Sequence, residues 1–174
     1  MKYNPEKHRR RSVRIPGYDY SQDGGYFVTI CEKDRFSLFG EIINNQIKLN
    51  AIGKHVQYWW YQISQRYPNV ELDEYIIMPN HMHGIIIIKN YGNCRGEVTS
   101  PLQFSQQCPS LGKIMAYFKY QSTKHVNQLR NTPGHKLWQR NYWEHIVRNE
   151  MELNRIRNYI QNNPVKWKND RYYQ

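Results

Sequence analysis

Hydrophobic positions in this chain follow a two-residue period in some stretches and a three-to-four-residue period in others. The two-residue period predicts a strand over 24–34 and two short strands over 36–50, with Gly40 and the pair Asn44–Asn45 as candidate turns. It also predicts strands over 69–78 and 81–90, separated by a break at Pro79–Asn80. The last of these strands ends in four consecutive isoleucines, which is typical of a central strand covered on both faces.

Helical spacing covers three longer stretches, 50–69, 110–130 and 149–163. Each begins beside a residue whose side chain can accept a hydrogen bond from the first helical turn: Asn50, Ser110 and Asn149. Pro68 and Pro164 mark the ends of the first and third helices. The stretch between the second and third helices begins with a turn and then becomes aromatic and basic, with a helix-like pattern around His145.

The order of these elements predicts one α+β domain over residues 1–174. A strand, a hairpin, a helix, two strands and two helices fit a ferredoxin-like sandwich, a central antiparallel sheet with helices packed on one face. Residues 1–20 read as a basic N-terminal arm, and 91–109 read as a flexible loop. There is no run of about 18 apolar residues and no secretory signal, so we expect no membrane contact. Three cysteines without a CxxC motif favour a reducing cytoplasm.

The charge of the chain favours a polyanionic partner. Lysine and arginine total 25 against 14 acidic residues, a formal net charge of +11, and the chain has 15 tyrosines and 5 tryptophans. Basic patches bind phosphates, and aromatic faces stack on unpaired bases, so nucleic-acid binding is favoured over a merely solvated basic surface. The candidate DNA contacts are basic residues in the arm, on the second helix and in an aromatic tract: Arg9, Arg10, Arg11, Arg14, Lys113, Lys119, Lys124 and Arg140.

Two histidines, His81 and His83, stand one residue apart at the start of the isoleucine strand. Side chains at i and i+2 of a strand point to the same face, so both imidazoles can converge on one metal ion. The spacing alone leaves a pair of surface histidines as an equal alternative.

The third helix carries a second polar pair, Tyr159 and Asn163, four residues apart and therefore on one helix face. A tyrosine hydroxyl can act as a nucleophile when a divalent ion polarises the phosphodiester beside it. Tyr159 is favoured over the other tyrosines because of its polar partner Asn163 at i+4, although simple packing of the helix is the structural alternative. Tyr172 and Tyr173, beyond this helix, are expected to be frayed.

Two segments carry a family resemblance. "MPNHMH" (78–83) resembles the histidine–hydrophobe–histidine motif of the HUH endonucleases, and 138–167 is similar to the C-terminal signature of REP-associated tyrosine transposases, which act on single-stranded DNA. The resemblance implies a ferredoxin-like fold, Mg²⁺ or Mn²⁺ held by His81 and His83, and Tyr159 as nucleophile, since the "Y-I-x-x-N-P" context is present. Asn163 falls where the family has the third metal ligand, as a neutral and therefore weaker one.

The resulting hypothesis is a metal-dependent single-strand DNA endonuclease and strand transferase that forms a 5′-phosphotyrosine intermediate, with hairpin DNA as the expected substrate. We expect a monomer or homodimer. A catalytically silent DNA-binding relative is the alternative, and only activity separates the two. A ferredoxin-like RNA-binding module would explain the charge but not the histidines, and replication-initiator or relaxase-type HUH enzymes often carry helicase domains that this length excludes.

Overall fold

The computed structural model describes residues 14–89 and 109–173, and in them one main sheet carries three helices. In chain order the elements are β1 (Gly24–Cys31), β2 (Gly40–Ile43), β3 (Gln46–Leu49), α1 (Ala51–Arg66), β4 (Val70–Ile77), β5 (His81–Ile88), α2 (Leu111–Arg130), β6 (Trp143–Val147) and α3 (Glu150–Gln161), followed by a 3-10 turn at Trp167–Asn169. The order β4-β5-β1-β6 is antiparallel throughout. The predicted α+β fold is confirmed. The predicted loop at 91–109 lies outside the described residues except for its last position, as does most of the arm.

The three helices begin at the residues that the sequence indicated. The side-chain oxygens of the predicted caps accept hydrogen bonds from backbone N–H groups three residues later: Asn50 from Gly53, Ser110 from Lys113, and Asn149 from Glu152. Each cap satisfies a donor that has no partner within the helix. Among the described residues, no helix is long and apolar enough to cross a membrane.

The small hairpin turns at one of the two predicted places. Asn44 and Asn45 both have positive φ, 50° and 61°, which suits the tight turn that joins β2 to β3. The prediction of a turn at Gly40 was wrong, because Gly40 begins β2 and pairs with Leu49. A Cβ at Gly40 would collide with the Lys48 carbonyl oxygen, so a close approach of two backbones requires glycine there.

The strand β6 was not predicted from the sequence. Its five residues pair antiparallel with β1 and form an edge of the sheet, so the expected helix-like environment of His145 was wrong. The imidazole Nε2 of His145 lies 2.8 Å from Oε1 of Glu152 on α3 instead.

The helices cover both faces of the sheet, and the expectation of helices on one face was wrong. Helices α1 and α2 pack on the face that carries Tyr26, Val28, Met82 and Ile86. Helix α3 packs on the opposite face, where its apolar residues meet those of β1 and β5: Ile156 and Ile160 with Phe27 and Ile85. The central strands β1 and β5 are therefore buried on both sides, as the isoleucine run indicated.

Close contact between β5 and α1 depends on Gly84. A Cβ added to Gly84 would overlap the indole ring of Trp60, which is fully buried. The missing side chain lets α1 pack against the middle of β5. Because of this contact, the face of β5 that carries Met82 and Ile86 packs into the main core.

Helix α3 is tied to the other edge of the sheet by a two-point ion pair. Arg157 donates from Nε to Asp73 Oδ1 at 2.9 Å and from Nη2 to Asp73 Oδ2 at 2.6 Å. Asp73 lies where β4 shifts register between Leu72 and Tyr75, and such irregularities redirect side chains. The hydrogen bond from Arg157 is the main reason that the pKa of Asp73 lies below its usual value.

The contact at Gly84 predicts the stability of a single variant. Gly84→Ala should lower the free energy of unfolding by about 1–3 kcal/mol, the usual cost of overpacking, measured by urea denaturation. Trp60→Phe shortens the ring that the new methyl group meets. In a protein that already carries Trp60→Phe, Gly84→Ala should therefore lower the free energy of unfolding by less. Equal stability of Gly84→Ala and the unchanged chain would show that α1 can move away freely.

The ion pair between Arg157 and Asp73 predicts a loss of stability that depends on pH. Asp73→Asn should reduce the free energy of unfolding by about 1 kcal/mol at neutral pH. The pKa of Asp73 is depressed in the folded state, so its contribution is present above the unfolded value of about 3.9 and is lost as pH falls through the folded value. The difference between the two proteins should therefore shrink in acid. Glu71→Gln on the same strand, whose partner Lys89 is more exposed, is the control and should change little.

Candidate active site

Two imidazoles meet on the α3 side of the sheet. His81 and His83 both lie on β5 and are buried, and their Nε2 atoms are 3.1 Å apart. The convergence follows from the two-residue period of the strand, with Met82 between them pointing into the opposite core. The structure therefore brings the two histidines together on one face, as their spacing predicted.

The Nδ1 atom of each imidazole has a partner that the sequence did not single out. Asn80 donates from Nδ2 to the carbonyl oxygens of Arg35 and Tyr172, which orients its Oδ1 toward His81 Nδ1 at 2.9 Å. His81 must then donate from Nδ1, so its Nε2 keeps a lone pair. A neighbour that fixes the tautomer in this way is characteristic of histidines that bind metals. The only sequence signal was that Asn80 directly precedes the histidine pair.

The partner of His83 lies on the neighbouring strand. Thr29 is the register partner of His83, and its Oγ1 is 2.7 Å from His83 Nδ1. Because a hydroxyl can donate or accept, it satisfies either tautomer of His83. A cation beside the two Nε2 atoms would select the tautomer with its proton on Nδ1. No sequence signal marks Thr29, because the pairing of β1 with β5 is a long-range contact.

Both histidines are held in the neutral form. Burial lowers the pKa of His81 to about 3, and the positive charges of Arg171 and Arg35 act in the same direction. Burial also holds the pKa of His83 well below its usual value, with His81 and Arg171 adding to the effect. Neutral imidazoles keep the lone pairs that a metal ion needs.

Tyr159 brings a hydroxyl to the same point from α3. Its oxygen lies 3.3 Å from His83 Nε2, and its ring packs on the rings of His83 and Phe27. The residue is 42% exposed, so the hydroxyl stands where the buried histidines meet the surface. Burial is the largest cause that raises the pKa of Tyr159, followed by the negative charge of Asp170, and the phenol is therefore protonated at neutral pH.

Asn163 lies one turn after Tyr159 and is buried. The Asn163 side chain acts to lower the pKa of Tyr159, which places the amide near the phenol oxygen. The Oδ1 atom of Asn163 has no hydrogen-bond partner among the described residues. A buried amide oxygen without a partner is costly, and a cation would satisfy it.

A carboxylate that the sequence did not indicate joins the histidines. Asp170 follows the 3-10 turn, and its carboxylate oxygen and one nitrogen from each of His81 and His83 all lie within 4.8 Å of one another. Two imidazoles, a carboxylate and an unpartnered amide oxygen are a donor set that fits a divalent cation. Asp170 has no recognisable spacing from the histidines, because a chain reversal after α3 brings it back to them.

The segment beyond α3 is ordered over the histidines, so the expectation of fraying at Tyr172 was wrong. Tyr172 is buried, and its ring centroid lies 4.5 Å from that of His81. Trp167 packs on the other side of the same segment, 6.0 Å from the His81 ring. These contacts close the site from the side of the chain terminus.

The candidate DNA contacts fall into three groups. Arg9, Arg10 and Arg11 lie outside the described residues. Arg14 donates to the Tyr142 hydroxyl at 2.8 Å and lies 3.8 Å from Glu144, so it also has partners within the fold. Lys119 donates to the backbone carbonyls of Gln139 and Arg140, and burial lowers its pKa to about 8. Lys113, Lys124 and the Arg140 side chain are exposed.

Comparisons with known proteins identify relatives along nearly the whole chain. No family model matches the sequence. An uncharacterised protein of Haemophilus influenzae is 42% identical over 99% of this chain and 97% of its own length. A putative REP-associated tyrosine transposase of the same organism is 27% identical, over 85% of this chain and 74% of its own.

A solved structure shares the fold. A REP-associated tyrosine transposase bound to a REP hairpin has a TM-score of 0.53 and 18% identity, covering 88% of this chain and 73% of its own. This likeness shows the fold. The chain is thus similar in sequence to a putative REP-associated tyrosine transposase and similar in fold to a solved one.

Proposed function

We propose that this protein is a metal-dependent endonuclease and strand transferase of single-stranded DNA, with Tyr159 as nucleophile. The proposal is carried by one observation, the 3.3 Å distance between the Tyr159 hydroxyl and Nε2 of His83, which is itself 3.1 Å from Nε2 of His81. A phenol joined to two neutral, converging imidazoles is an arrangement for phosphoryl chemistry rather than for packing. The transposase relatives support the same class of reaction.

The residues that would hold the metal are His81, His83, Asn163 and Asp170. Mg²⁺ or Mn²⁺ bound there would act as a Lewis acid toward a phosphodiester oxygen and stabilise its developing charge. Asn80 and Thr29 fix the orientation of the two imidazoles through their Nδ1 atoms. Asp170 supplies the negative charge that the predicted set of two histidines and one asparagine lacks.

The chain's own part in the reaction is to present and activate one hydroxyl. The Tyr159 oxygen would form a bond to phosphorus as the bond from phosphorus to the 3′-oxygen breaks, which leaves a 5′-phosphotyrosine and a free 3′-hydroxyl. Because the pKa of Tyr159 is raised, its proton must be lost as the new bond forms. The covalent link conserves the phosphodiester energy, so attack by another 3′-hydroxyl would rejoin the strand without ATP.

The substrate is proposed from charge and family. A net charge of +11 suits a polyanion, and the solved relative carries a REP hairpin in its structure. A hairpin with an unpaired flank would offer a duplex for the basic surface and a single strand for the tyrosine. The protein would act as a monomer or a homodimer.

The nucleophile can be tested by covalent capture. End-labelled hairpins with single-stranded flanks, taken from the DNA around the protein's own gene, are incubated with Mn²⁺ and separated on denaturing gels. The unchanged protein should give a slow-migrating protein–DNA adduct, and Tyr159→Phe should give none, because only the phenol oxygen can form the link.

Tyr120→Phe is the matched control for this experiment, since Tyr120 is an exposed tyrosine on α2 and should leave the adduct unchanged. An adduct that persists in Tyr159→Phe would assign the nucleophile to another residue. Hairpin binding without any adduct, in Mg²⁺ or Mn²⁺, would favour the catalytically silent binding protein.

The ligand set can be tested without DNA. Titration calorimetry of the metal-free protein with Mn²⁺ should show one site, and Asp170→Asn should weaken it at least about tenfold, because the amide keeps the shape but loses the charge. His83→Gln should remove most binding. His145→Gln, a histidine on β6 that is bonded to Glu152, should bind as the unchanged protein does. Unaltered affinity in Asp170→Asn would remove the carboxylate from the proposed set.

A further inference from the structure

An open cavity of about 470 Å³ lies beside Tyr159, between β6 and α3. Helix α3 is tied toward β4 by Arg157, and no other described element covers the part of the same sheet face over β1 and β6. Tyr159 and His83 form one wall of this cavity. Whatever occupies it would lie directly against the proposed nucleophile.

The opposite wall presents an exposed tryptophan. Trp143 lies on the edge strand β6 and is 42% exposed, and its register partner on β1 is Thr29, which in turn pairs with His83. The rings of Trp143 and His145 are nearly parallel, 7° apart, and the Phe27 ring meets Trp143 at its edge. An exposed indole in an apolar cavity is the usual platform for an unpaired nucleobase.

Two guanidinium groups line the cavity, although Glu152 lies 3.6 Å from Arg155 and Asp170 lies beside His83. Arg155 and Arg171 line it, and none of the described residues that line it is acidic. A second cavity of about 370 Å³ shares Thr29, Trp143 and Arg171 with the first, so Trp143 stands between the two. The second cavity adds the guanidinium group of Arg35. The guanidinium groups at the rim of a mostly apolar cavity suit the phosphates on either side of a bound base.

We propose that the cavity between β6 and α3 binds an unpaired nucleobase of the DNA strand, in the nucleotide next to the phosphate that Tyr159 attacks. The base stacks on Trp143, and the adjoining phosphates lie against Arg155 and Arg171. This inference rests on the proposed function for its choice of ligand. The volume of the cavity is within the range of small-ligand pockets. Stacking on the indole needs a base that is free of its partner, so the cavity would select single strands.

The role of Trp143 is a positioning and specificity role. Fixing the base on one side of the scissile phosphate would hold that phosphate against the Tyr159 hydroxyl, which is 3.3 Å from His83. A strand that lacks the base at this position would lose both affinity and alignment. The sequence context of cleavage would then depend on how well each base stacks on the indole.

Binding can be measured apart from cleavage. Oligothymidylate strands with a single 2-aminopurine are titrated with the unchanged protein in EDTA, following fluorescence quenching and anisotropy. Trp143→Ala should weaken binding about tenfold and relieve the quenching, while Trp143→Phe should retain most of both, since a stacking ring remains. Tyr58→Ala is the matched control, because Tyr58 is similarly exposed but lies on α1, across the sheet. A duplex of the same strand should compete poorly.

Three results would overturn the inference: unchanged affinity in Trp143→Ala, an equal loss in Tyr58→Ala, or equal competition by duplex. A fall in the unfolding temperature of Trp143→Ala with unchanged affinity would assign the ring to packing. The outcome is separable from that of the proposed function. If Trp143→Ala weakens binding but the unchanged protein forms no adduct, the base-binding cavity is supported and the proposed enzyme activity is rejected. If adducts form and Trp143→Ala binds normally, the enzyme activity is supported and the base-binding cavity is rejected.

Discussion

The alternation of side chains along β5 is the constraint on which the rest of the structure depends. One face of this strand, with Met82, Gly84 and Ile86, belongs to the main core, and the other carries His81 and His83 toward α3. A shift of one residue would place the imidazoles among the core side chains and the methionine in the site. The close contact between Gly84 and Trp60 opposes such a shift, because only one residue of the strand lacks a side chain. The core therefore fixes the register that the candidate site requires.

Burying two imidazoles has a cost that the neighbouring residues offset. Asn80 and Thr29 give each Nδ1 atom a partner, and the backbone carbonyls of Arg35 and Tyr172 hold the Asn80 amide in place. The Nε2 atoms are left facing each other, with Asp170 nearby and positive guanidinium groups of Arg171 and Arg35 close enough to oppose protonation. The two imidazoles are thus kept neutral beside the Asp170 carboxylate. This arrangement suits the binding of a metal cation better than the binding of a proton.

Local patterns in the sequence were sufficient to predict most of the helices and strands. They were also sufficient to predict which site residues lie together on one helix or one strand. The caps at Asn50, Ser110 and Asn149 depend on neighbours three residues away, and the histidine pair depends only on strand periodicity. Long-range contacts were not predictable in this way. Strand β6 is five residues long and carries Trp, Glu and His, so it has too little alternation to stand out.

The same reason explains the site residues that the sequence did not reveal. Thr29 reaches His83 only because β1 pairs with β5, and Asp170 reaches the histidines only because the chain reverses after α3. Tyr172 belongs to the same reversal, and its burial on His81 has no counterpart in hydrophobic periodicity. In each case the missing information was the position of one element relative to another, which a single sequence does not carry.

The direction from which a DNA strand can reach Tyr159 follows from what covers each side of the histidines. The sheet lies beneath them, α3 is drawn toward β4 by the Asp73–Arg157 pair, and Trp167 and Tyr172 close the side of the chain terminus. The remaining side, toward Trp143 on the edge strand, is left open by residues 14–89 and 109–173. A phosphodiester that approaches along this edge meets the exposed part of Tyr159 before it meets the buried imidazoles. Partial exposure of the phenol is therefore a consequence of where α3 is anchored, by an ion pair that lies only two residues before Tyr159 in the chain.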